Sequence, residues 1–287
     1  MTTRPKSSSS ATPTAGAAGS ELSGHTGWDE YAAFYDWENA RTMARRDIAF
    51  WERLAHAAGG PILELGCGTG RVTLPIARAT GGIVGVDRSA PMLDRARERV
   101  RRARLSRRVR LVRADIRDLP FESSRFALVA APYGVLQSLL KEADLTAALN
   151  SVTRVLAPGG RLVLELVADL PSWQEYKRAT RLRGWRPGGK AHVTLVESVR
   201  QDPARGLTMF DQEFTERRGS EVTRRQFSLA FRTLSPPQMA RRLAREGLSV
   251  SMQWGSYQGD PWTADAETWI VGAEKPVRPS RRRPPAG

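Results

Sequence analysis

The sequence contains a single cysteine, Cys67, among its 287 residues. One thiol cannot form an internal disulfide and offers a structural zinc ion no second thiolate, so neither redox chemistry nor a metal site is expected. Long apolar runs are missing too, since no stretch approaches the roughly 18 apolar residues of a membrane span, and the N-terminus lacks the layout of a secretory signal. We therefore expect a cytoplasmic protein without a membrane partner, and the sequence leaves monomer and dimer open.

Lysine is also scarce: only five of the 45 basic residues are lysines, although the formal net charge is +15. A basic chain can bind nucleic acid, because its side chains neutralise phosphates and release counterions. Here the arginines are scattered beside glutamates and aspartates, and the densest runs cover only 101–108 and 281–283. The pattern favours a solvated surface, and nucleic acid is a possible partner that is not favoured.

The two ends of the chain have few large apolar side chains. Residues 1–24 are rich in Ser, Thr, Ala, Pro and Gly, and residues 276–287 are rich in Pro and Arg. Such segments bury too little apolar surface to offset the loss of chain entropy, so both are predicted to be disordered tails, the second one basic. One folded domain over residues 25–275 is left, large enough for a full α/β core.

Between these ends, short apolar runs typical of buried strands alternate with helical periodicity. Helical spacing extends over 28–56 and again over 145–156. Strands are predicted at Pro61–Leu65, Ile83–Asp87, 109–112, Phe126–Ala130 and, after a turn at 157–160, Arg161–Val167. This βαβα order predicts an α/β fold with a doubly wound parallel sheet.

The last third of the domain has a different pattern. Residues 191–200, 207–216 and 222–232 alternate apolar and charged side chains and are separated by turn-prone Asp-Pro and Arg-Gly stretches. They are predicted to form a small antiparallel β insertion over 191–232 with one face covered. A further helix and two final strands would then complete the main sheet.

The strongest chemical signal is the segment ELGCGTG at 64–70, where a buried strand must turn sharply into a helix. Glycines at alternate positions permit positive φ angles and let the backbone approach a ligand closely. The helix that follows directs unpaired N–H groups toward the same place. A glycine turn alone is as often structural as functional, so the residues predicted to lie beside it decide between the two interpretations.

Two carboxylates follow at the ends of the next strands. Asp87 ends the second strand in the segment GVDRS, and Asp115 follows the third strand in the segment ADI. Ligands of such sheets bind at the carboxyl ends of the strands, where Asp87 could accept hydrogen bonds from two ribose hydroxyls and Asp115 from an adenine amine. Met92, one turn into the next helix, is predicted either to pack on a purine face or to lie in the core.

Together these segments resemble the class I S-adenosylmethionine-dependent methyltransferase family. The matching pieces are ELGCGTG, GVDRS with PMLDRAR, ADIRDLPF and VLAPGGRLVLEL. The resemblance implies a Rossmann-like seven-stranded sheet of order 3-2-1-4-5-7-6 with strand 7 antiparallel, S-adenosylmethionine as the cofactor, and an N-terminal helix that closes over it. The cofactor-binding residues on this reading are Tyr35, Glu64, Gly66, Cys67, Gly68, Gly70, Asp87, Arg88, Met92, Asp115 and Ile116.

Two neighbouring classes of enzyme fit less well. A nicotinamide-dependent dehydrogenase also has a glycine turn and an acidic strand end, but its glycines follow G-x-G-x-x-G, whereas here they are Gly66, Gly68 and Gly70,. The segment AAPY at 130–133 resembles the D-P-P-Y motif of amino-directed nucleic-acid methyltransferases. Ala130, however, has no polar group to accept a hydrogen bond from a target amine, which argues against DNA methylation.

No motif identifies the methyl acceptor. Methyl transfer from a sulfonium is an in-line displacement, so the protein mainly aligns the acceptor and excludes water, and a base is needed only where the acceptor loses a proton. Tyr133, Glu165 and His192 are the candidate catalytic groups, and segment 191–232 is expected to form the acceptor wall. The preferred hypothesis is transfer to an N or O atom of a small molecule. RNA or protein methylation, and cofactor binding without transfer, are the alternatives.

Overall fold

The structure, a computed structural model, describes residues 27–43, 46–168 and 175–277. The predicted tail 1–24 and residues 278–287 of the predicted basic tail lie outside the described residues. The helices are α1 (Trp28–Thr42), α2 (Ile48–Ala57), α3 (Thr73–Ala79), α4 (Ala90–Arg102), α5 (Glu142–Val155) and α6 (Pro236–Arg245). The strands are β1 (Ile62–Leu65), β2 (Ile83–Asp87), β3 (Val109–Arg113), β4 (Phe126–Ala131), β5 (Leu156–Leu166), β6 (Tyr176–Trp185), β7 (His192–Asp202), β8 (Leu207–Arg218), β9 (Glu221–Arg232), β10 (Ser249–Trp254) and β11 (Trp269–Glu274).

Seven strands form the main sheet in the order β3-β2-β1-β4-β5-β11-β10. Neighbouring strands from β3 to β5 run parallel, whereas β11 is antiparallel to both β5 and β10. The last strand of the chain is thus inserted between the fifth and the sixth strand of this sheet. The predicted Rossmann-like α/β fold and its strand order are confirmed.

Alternation of side chains gives the main sheet a core on each face. Leu63 and Leu65 of β1 belong to the cluster on the side of α5 and α6, while Ile62 belongs to the opposite cluster on the side of α2 and α3. Because parallel strands are covered on both faces, every residue of β1 is buried,. The packing on both faces fixes the carboxyl ends of β1 to β4 at one edge of the sheet.

The second sheet has four antiparallel strands in the order β6-β7-β8-β9. The three extended segments predicted over 191–232 are β7, β8 and β9. β6 is a fourth strand that the sequence did not predict. It lies at the edge of the sheet, and its side chains are exposed or half-buried without a regular two-residue alternation, so it lacks the usual strand signal,.

Two boundaries differ from the expectation. The helical spacing over 28–56 belongs to two separate helices, α1 and α2, rather than to one. β5 begins at Leu156, so the predicted turn 157–160 lies inside that strand as an irregularity in its pairing with β4. Neither difference moves the carboxyl edge of the sheet.

Helix α1 lies between the second sheet and the main sheet. On one side Phe34 stacks on Phe214 of β8, with the ring centroids 4.2 Å apart. On the other side Thr69, in the loop after β1, donates a 2.6 Å hydrogen bond from its hydroxyl to Oδ1 of Asp36. α1 therefore covers the edge where the sequence predicts the cofactor.

Candidate cofactor and acceptor site

A cavity of about 400 Å³ lies at the carboxyl ends of β1 to β4, under α1. Its walls come from the loops after these strands, from the start of α4 and from Trp28, Asp29 and Tyr35 of α1. The structure brings most of the predicted site residues to this cavity. Those that line it are Tyr35, Glu64, Gly66, Cys67, Gly68, Asp87, Arg88, Met92, Asp115, Ile116 and Tyr133.

The glycine turn leaves room that a side chain would fill. Gly66 has a φ of 58°, and a Cβ there would come within 2.4 Å of Cγ2 of Val135. Gly68 has a φ of 53°, a backbone conformation that glycine adopts without strain. Cys67 between them is buried, and burial raises the pKa of its thiol well above the usual range. The turn therefore contributes backbone and space to the cavity, with a protonated thiol beside them.

Asp87 is held by two backbone hydrogen bonds. Its Oδ2 accepts 2.8 Å from the N–H of Gly68, and its Oδ1 accepts 2.8 Å from the N–H of Ser89. Burial raises the pKa of this carboxyl above its ordinary value, against the opposing effect of these bonds. A carboxylate oxygen can accept more than one hydrogen bond, so both oxygens remain able to accept from ligand hydroxyls.

Asp115 forms part of an ion-pair network at the other end of the cavity. Arg117 donates to it from Nε at 3.0 Å and from Nη2 at 2.7 Å, and also contacts Asp144 at 2.7 Å. Hydrogen bonding by Arg117 lowers the pKa of Asp115, so the carboxyl is ionised. Arg88 lies farther off, with Nη1 at 3.7 Å from Asp115 Oδ2. Ile116 supplies an apolar surface beside this pair.

Glu64 and Arg71 lie at the Tyr35 end of the cavity. Glu64 Oε2 accepts 2.6 Å from the hydroxyl of Thr73, and burial raises the pKa of this carboxyl to about 8. Arg71 makes a two-pronged ion pair with Asp47, with distances of 2.6 and 2.8 Å. Its Nε is buried and has no partner among the described residues. A cation, a neutral carboxyl and a phenol thus share one end of the site.

Helix α1 is tied across the cavity by polar contacts. Ser89, at the start of α4, donates from its hydroxyl to Oδ1 of Asp29 at 2.5 Å. Asp36 accepts both the Thr69 hydroxyl at 2.6 Å and Nη1 of Arg99 at 2.9 Å. These bonds fix both ends of the helix segment whose side chains reach the cavity. They hold α1 over the cavity in which the sequence predicts the cofactor.

The three candidate catalytic residues occupy different positions. Tyr133 lines the cavity, and its backbone N–H donates to Oε2 of Glu165 at 3.2 Å. Glu165 lies behind it and also accepts 2.7 Å from the hydroxyl of Tyr257. Burial raises the pKa of Glu165 to about 7. His192 lies against Trp185 on the second sheet, with the rings 5.4 Å apart, and does not line the cavity.

Two predicted parts of the site do not line the cavity. Gly70 does not line the cavity; a Cβ there would come within 2.6 Å of Leu74 Cδ1, so this glycine permits close packing of α3 instead. None of residues 191–232, all of which the structure describes, lines the cavity either. Phe214 and its neighbours pack against α1 because the apolar face of the second sheet is covered by that helix. The second sheet supports α1 and does not form a wall of this cavity.

Sequence reasoning missed several residues of the cavity. Arg71 follows the glycine turn directly, and Arg117 stands two positions after Asp115, so their placement beside the predicted site was the available signal. No motif marks the segment after β4 that closes the Asp115 end, with Val135 and Leu139 in the wall. That segment is brought to the site by the fold alone.

The cavity fits S-adenosylmethionine in its chemistry and size. Its volume of about 400 Å³ is in the usual range for small-ligand pockets,. Hydrogen-bond acceptors for a ribose are present at Asp87, an apolar surface for a purine at Ile116, and a cation at Arg71. The space over Gly66 and Gly68 would be lost to any larger side chain.

Comparison with known proteins gives a consistent result. Residues 62–160 match a family model described as Methyltransferase domain. Cypemycin N-terminal methyltransferase from a Streptomyces species is 29% identical over 217 residues, which cover 76% of this chain and 84% of the relative. A demethylmenaquinone methyltransferase from Lactiplantibacillus plantarum is 40% identical over 129 residues, which cover 42% of this chain and 53%, about half, of that protein. The solved structure of the sugar N-methyltransferase KedS8 from Streptoalloteichus has a TM-score of 0.69 at 16% identity, covering 95% of this chain and 100% of that one, a likeness of fold.

The sheet order, the glycine turn and the methyltransferase domain define a class I S-adenosylmethionine-dependent methyltransferase. Solved structures that share the fold include complexes with S-adenosylmethionine. Residues 62–160 form a methyltransferase domain of this kind, and the protein is an enzyme that uses S-adenosylmethionine as its cofactor. In the part of the chain that the structure describes, no helix is long and apolar enough to cross a membrane, and no cluster of three metal-ligating residues is present.

Proposed function

We propose that this methyltransferase transfers the methyl group to an N or O atom of a small molecule. The observation that carries the proposal is the covered end of the cavity, where Tyr35 of α1 and Tyr133 after β4 both line the space beneath α1. A covered cavity of about 400 Å³ suits a cofactor and a small acceptor better than the surface of a folded RNA or protein,. The names of two relatives, an N-terminal methyltransferase and a sugar N-methyltransferase, support nitrogen as an acceptor atom.

We assign the parts of the cofactor to residues by their chemistry. Asp87 would accept hydrogen bonds from the ribose hydroxyls, and Ile116 and Met92 would pack against the adenine. Gly66 and Gly68 would leave room for the methionine chain. Arg71, held by Asp47, is the cation that lines the end where the cofactor's carboxylate would lie.

When bound, S-adenosylmethionine supplies a methyl group on a positively charged sulfonium. The chain has to align the acceptor with that group and exclude water, because the displacement is in line. Tyr133 lines the cavity and would hold the acceptor with its ring and hydroxyl. Glu165 does not reach the cavity and acts through the backbone of Tyr133, so it is a positioning residue. His192 has no contact with the cavity, and we assign it no role.

The test uses S-adenosylmethionine with a labelled methyl group and three separate acceptor pools: small metabolites, RNA and protein. We expect label in the small-molecule pool, and we expect Asp87→Ala to reduce it strongly when the cofactor is below saturation. Asp94→Ala, at a side chain of α4 that is 72% exposed, serves as the matched control and should keep activity. Label found only in RNA or protein would support the first alternative, and tight cofactor binding without label in any pool would support a binding protein without transfer.

A further inference from the structure

Polar side chains interrupt the apolar face that the second sheet presents to α1. That face consists mainly of residues such as Leu195 and Phe214, which pack against the helix. In its middle Glu197 of β7 and Gln212 of β8 lie opposite each other. They are only 6% and 5% exposed. None of the roles assigned to the cofactor cavity uses these two residues.

One acceptor in this polar pair has no donor. Glu197 Oε2 accepts 2.8 Å from Nε2 of Gln212, and Glu197 Oε1 accepts from the hydroxyl of Tyr176. Oε1 of Gln212 is buried and has no hydrogen-bond partner among the described residues. Buried polar atoms are nearly always hydrogen-bonded, because burial removes their bonds to water. The unpaired oxygen therefore indicates a missing donor at this place.

Helix α1 adds a second carboxylate to the pair. Oε2 of Glu38 accepts 2.9 Å from the hydroxyl of Tyr31. Burial, together with the charge of Glu197, raises the pKa of Glu38 to about 7. The cation facing the two carboxylates is Arg181, whose Nε lies 3.7 Å from Glu197 Oε1 and whose side chain is 52% exposed. About half of the Arg181 side chain is thus exposed to solvent, so negative charge predominates inside the cluster.

The chemistry of the cluster selects its ligand. An ionised carboxylate and an amide oxygen can accept hydrogen bonds but cannot donate them. The hydroxyl of Tyr31 already donates to Glu38, and that of Tyr176 donates to Glu197. A neutral hydroxyl would satisfy one acceptor but would leave the repulsion between the carboxylates in place. A protonated amine satisfies several acceptors at once and adds the opposite charge, which makes each hydrogen bond stronger.

We propose that Glu38, Glu197 and Gln212 bind a protonated amino group of the methyl acceptor. This inference rests on the proposed function and narrows the acceptor to compounds that carry a cationic amine. It concerns recognition, and the bound amino group need not be the one that is methylated.

The accessible member of the cluster is Glu38, on the helix that covers the cavity. Tyr133, which lines the cavity, lies near enough to Glu38 for that carboxylate to contribute, after burial and Tyr35, to a raised pKa of the phenol. Glu38 itself is only partly buried, so a charged group can reach it from solvent. A small acceptor could therefore place a cationic group at Glu38 and another part beside Tyr133.

The test measures binding rather than turnover. The protein is saturated with S-adenosylhomocysteine and titrated calorimetrically with cyclohexylamine or with cyclohexanol, a neutral molecule of the same shape. The titration is run at about pH 8, where Glu38, with a pKa of about 7, is mostly ionised and the amine is still protonated,. We expect the amine to bind about ten- to a hundredfold more tightly than the alcohol. The net charge of +15 repels a cation, so non-specific attraction to the chain cannot produce a preference for the amine,.

Matched variants assign the preference to the cluster. E38Q and E197Q should each remove it, while E30Q, which changes an exposed carboxylate on the same helix, should keep it. Melting curves identify any variant that fails to fold. If E197Q does not fold, the result for E38Q is sufficient, since Glu38 is partly exposed. Equal affinity for amine and alcohol in the wild type, or an unchanged preference in folded E38Q, overturns the inference.

The inference and the proposed function fail in different ways. Selective amine binding without methylation of any small molecule contradicts the proposed function and leaves the cluster assigned. Methylation of a small molecule that has no cationic group, by a protein that does not distinguish cyclohexylamine from cyclohexanol, contradicts only the inference.

Discussion

The backbone N–H of Gly68 donates a 2.8 Å hydrogen bond to Oδ2 of Asp87, across 19 positions of sequence. A second hydrogen bond of 2.8 Å, from the N–H of Ser89 two positions later to Oδ1, orients the same carboxylate. The carboxylate therefore joins the glycine turn after β1 to the end of β2. A ribose would bind to a carboxylate whose orientation is already fixed, which lowers the entropic cost of binding.

Replacing Asp87 by alanine tests this arrangement directly. The variant loses the acceptors for the ribose hydroxyls and one anchor of the glycine turn, so S-adenosylmethionine binding should weaken by on the order of 1.5 to 3 kcal/mol. Calorimetric titration of folded protein gives the dissociation constant, and Asp94→Ala, at an exposed position of α4, should leave it unchanged. An unchanged constant in folded Asp87→Ala would exclude this residue from the site.

Two glycines allow backbone strain to be separated from loss of ligand space. Gly68 and Gly206 have φ angles of 53° and 60°, so an alanine meets similar strain at both, and the cost should be about 1 to 2 kcal/mol of stability in each. A Cβ at Gly68 would have its nearest neighbour, the carbonyl oxygen of Gly66, 3.9 Å away and would occupy the cavity, whereas a Cβ at Gly206 has nothing within 4 Å. We expect only Gly68→Ala to weaken cofactor binding. Equal affinities of the two variants would show that the turn does not approach the ligand.

The cofactor side of the site could be predicted because its signals are local. Asp87 ends a recognisable strand, and parallel strands bring their carboxyl ends to one edge of the sheet, so its meeting with the glycine turn follows from the strand order. The same reasoning applies to Asp115. Each residue is adjacent in sequence to the element that positions it.

The acceptor side could not be predicted, because its contacts join distant elements. Apolar alternation over 191–232 indicates that one face is covered but not what covers it. In the structure Phe34 of α1 covers Phe214, so this face supports a helix and does not line the cofactor cavity. Arg71 shows the same limit: its partner Asp47 lies 24 positions earlier, and only the packing of α2 on α3 brings the two together.

Truncation of Phe214 should loosen α1 from the second sheet. The ring is fully buried and stacks on Phe34 at 4.2 Å, so Phe214→Ala is expected to cost about 3 to 5 kcal/mol of the free energy of unfolding,. Because α1 also covers the cavity, cofactor affinity should fall as well. Urea unfolding and calorimetry measure the two effects, with Val222→Ala on the same sheet, at a side chain that is 40% exposed, as control. A stability loss with unchanged affinity would show that α1 does not need the second sheet to cover the cofactor.

The buried carboxyl of Glu64 should make stability depend on pH. Its pKa is about 8 in the folded protein against 4.5 for the ordinary group. Between these values the folded state keeps a proton that the unfolded state has lost, so the free energy of unfolding falls as pH rises from about 4.5 to about 8 and then levels off,. Glu64→Gln removes the titrating group, so its free energy of unfolding should depend less on pH. The expected difference over this pH range is on the order of a few kcal/mol. Urea unfolding at several pH values without cofactor measures it, and parallel slopes for the two proteins would contradict the burial of a neutral Glu64.

Tyr133 is expected to contact the acceptor through its hydroxyl. Burial raises the pKa of this phenol above its ordinary value, so near neutral pH it is protonated and can donate a hydrogen bond but cannot act as a base. Tyr133→Phe keeps the ring and the backbone, including the φ of 53° that places the residue, and removes only the hydroxyl. We therefore expect unchanged affinity for S-adenosylmethionine and a fall in turnover on an identified acceptor of about two- to tenfold, the value of one neutral hydrogen bond.

A second tyrosine provides the comparison for Tyr133. Tyr257 donates to Glu165, which in turn accepts the backbone N–H of Tyr133, and Tyr257 does not line the cavity. Tyr257→Phe should disturb the position of Tyr133 without removing a group from the acceptor, so it should change KM more than kcat, whereas Tyr133→Phe should lower kcat. Because a protonated phenol is not a base, the pH profile of kcat should keep its shape in Tyr133→Phe. A shift of that profile on loss of the hydroxyl, or full activity without it, would mean that the acceptor is aligned by another residue of the cavity.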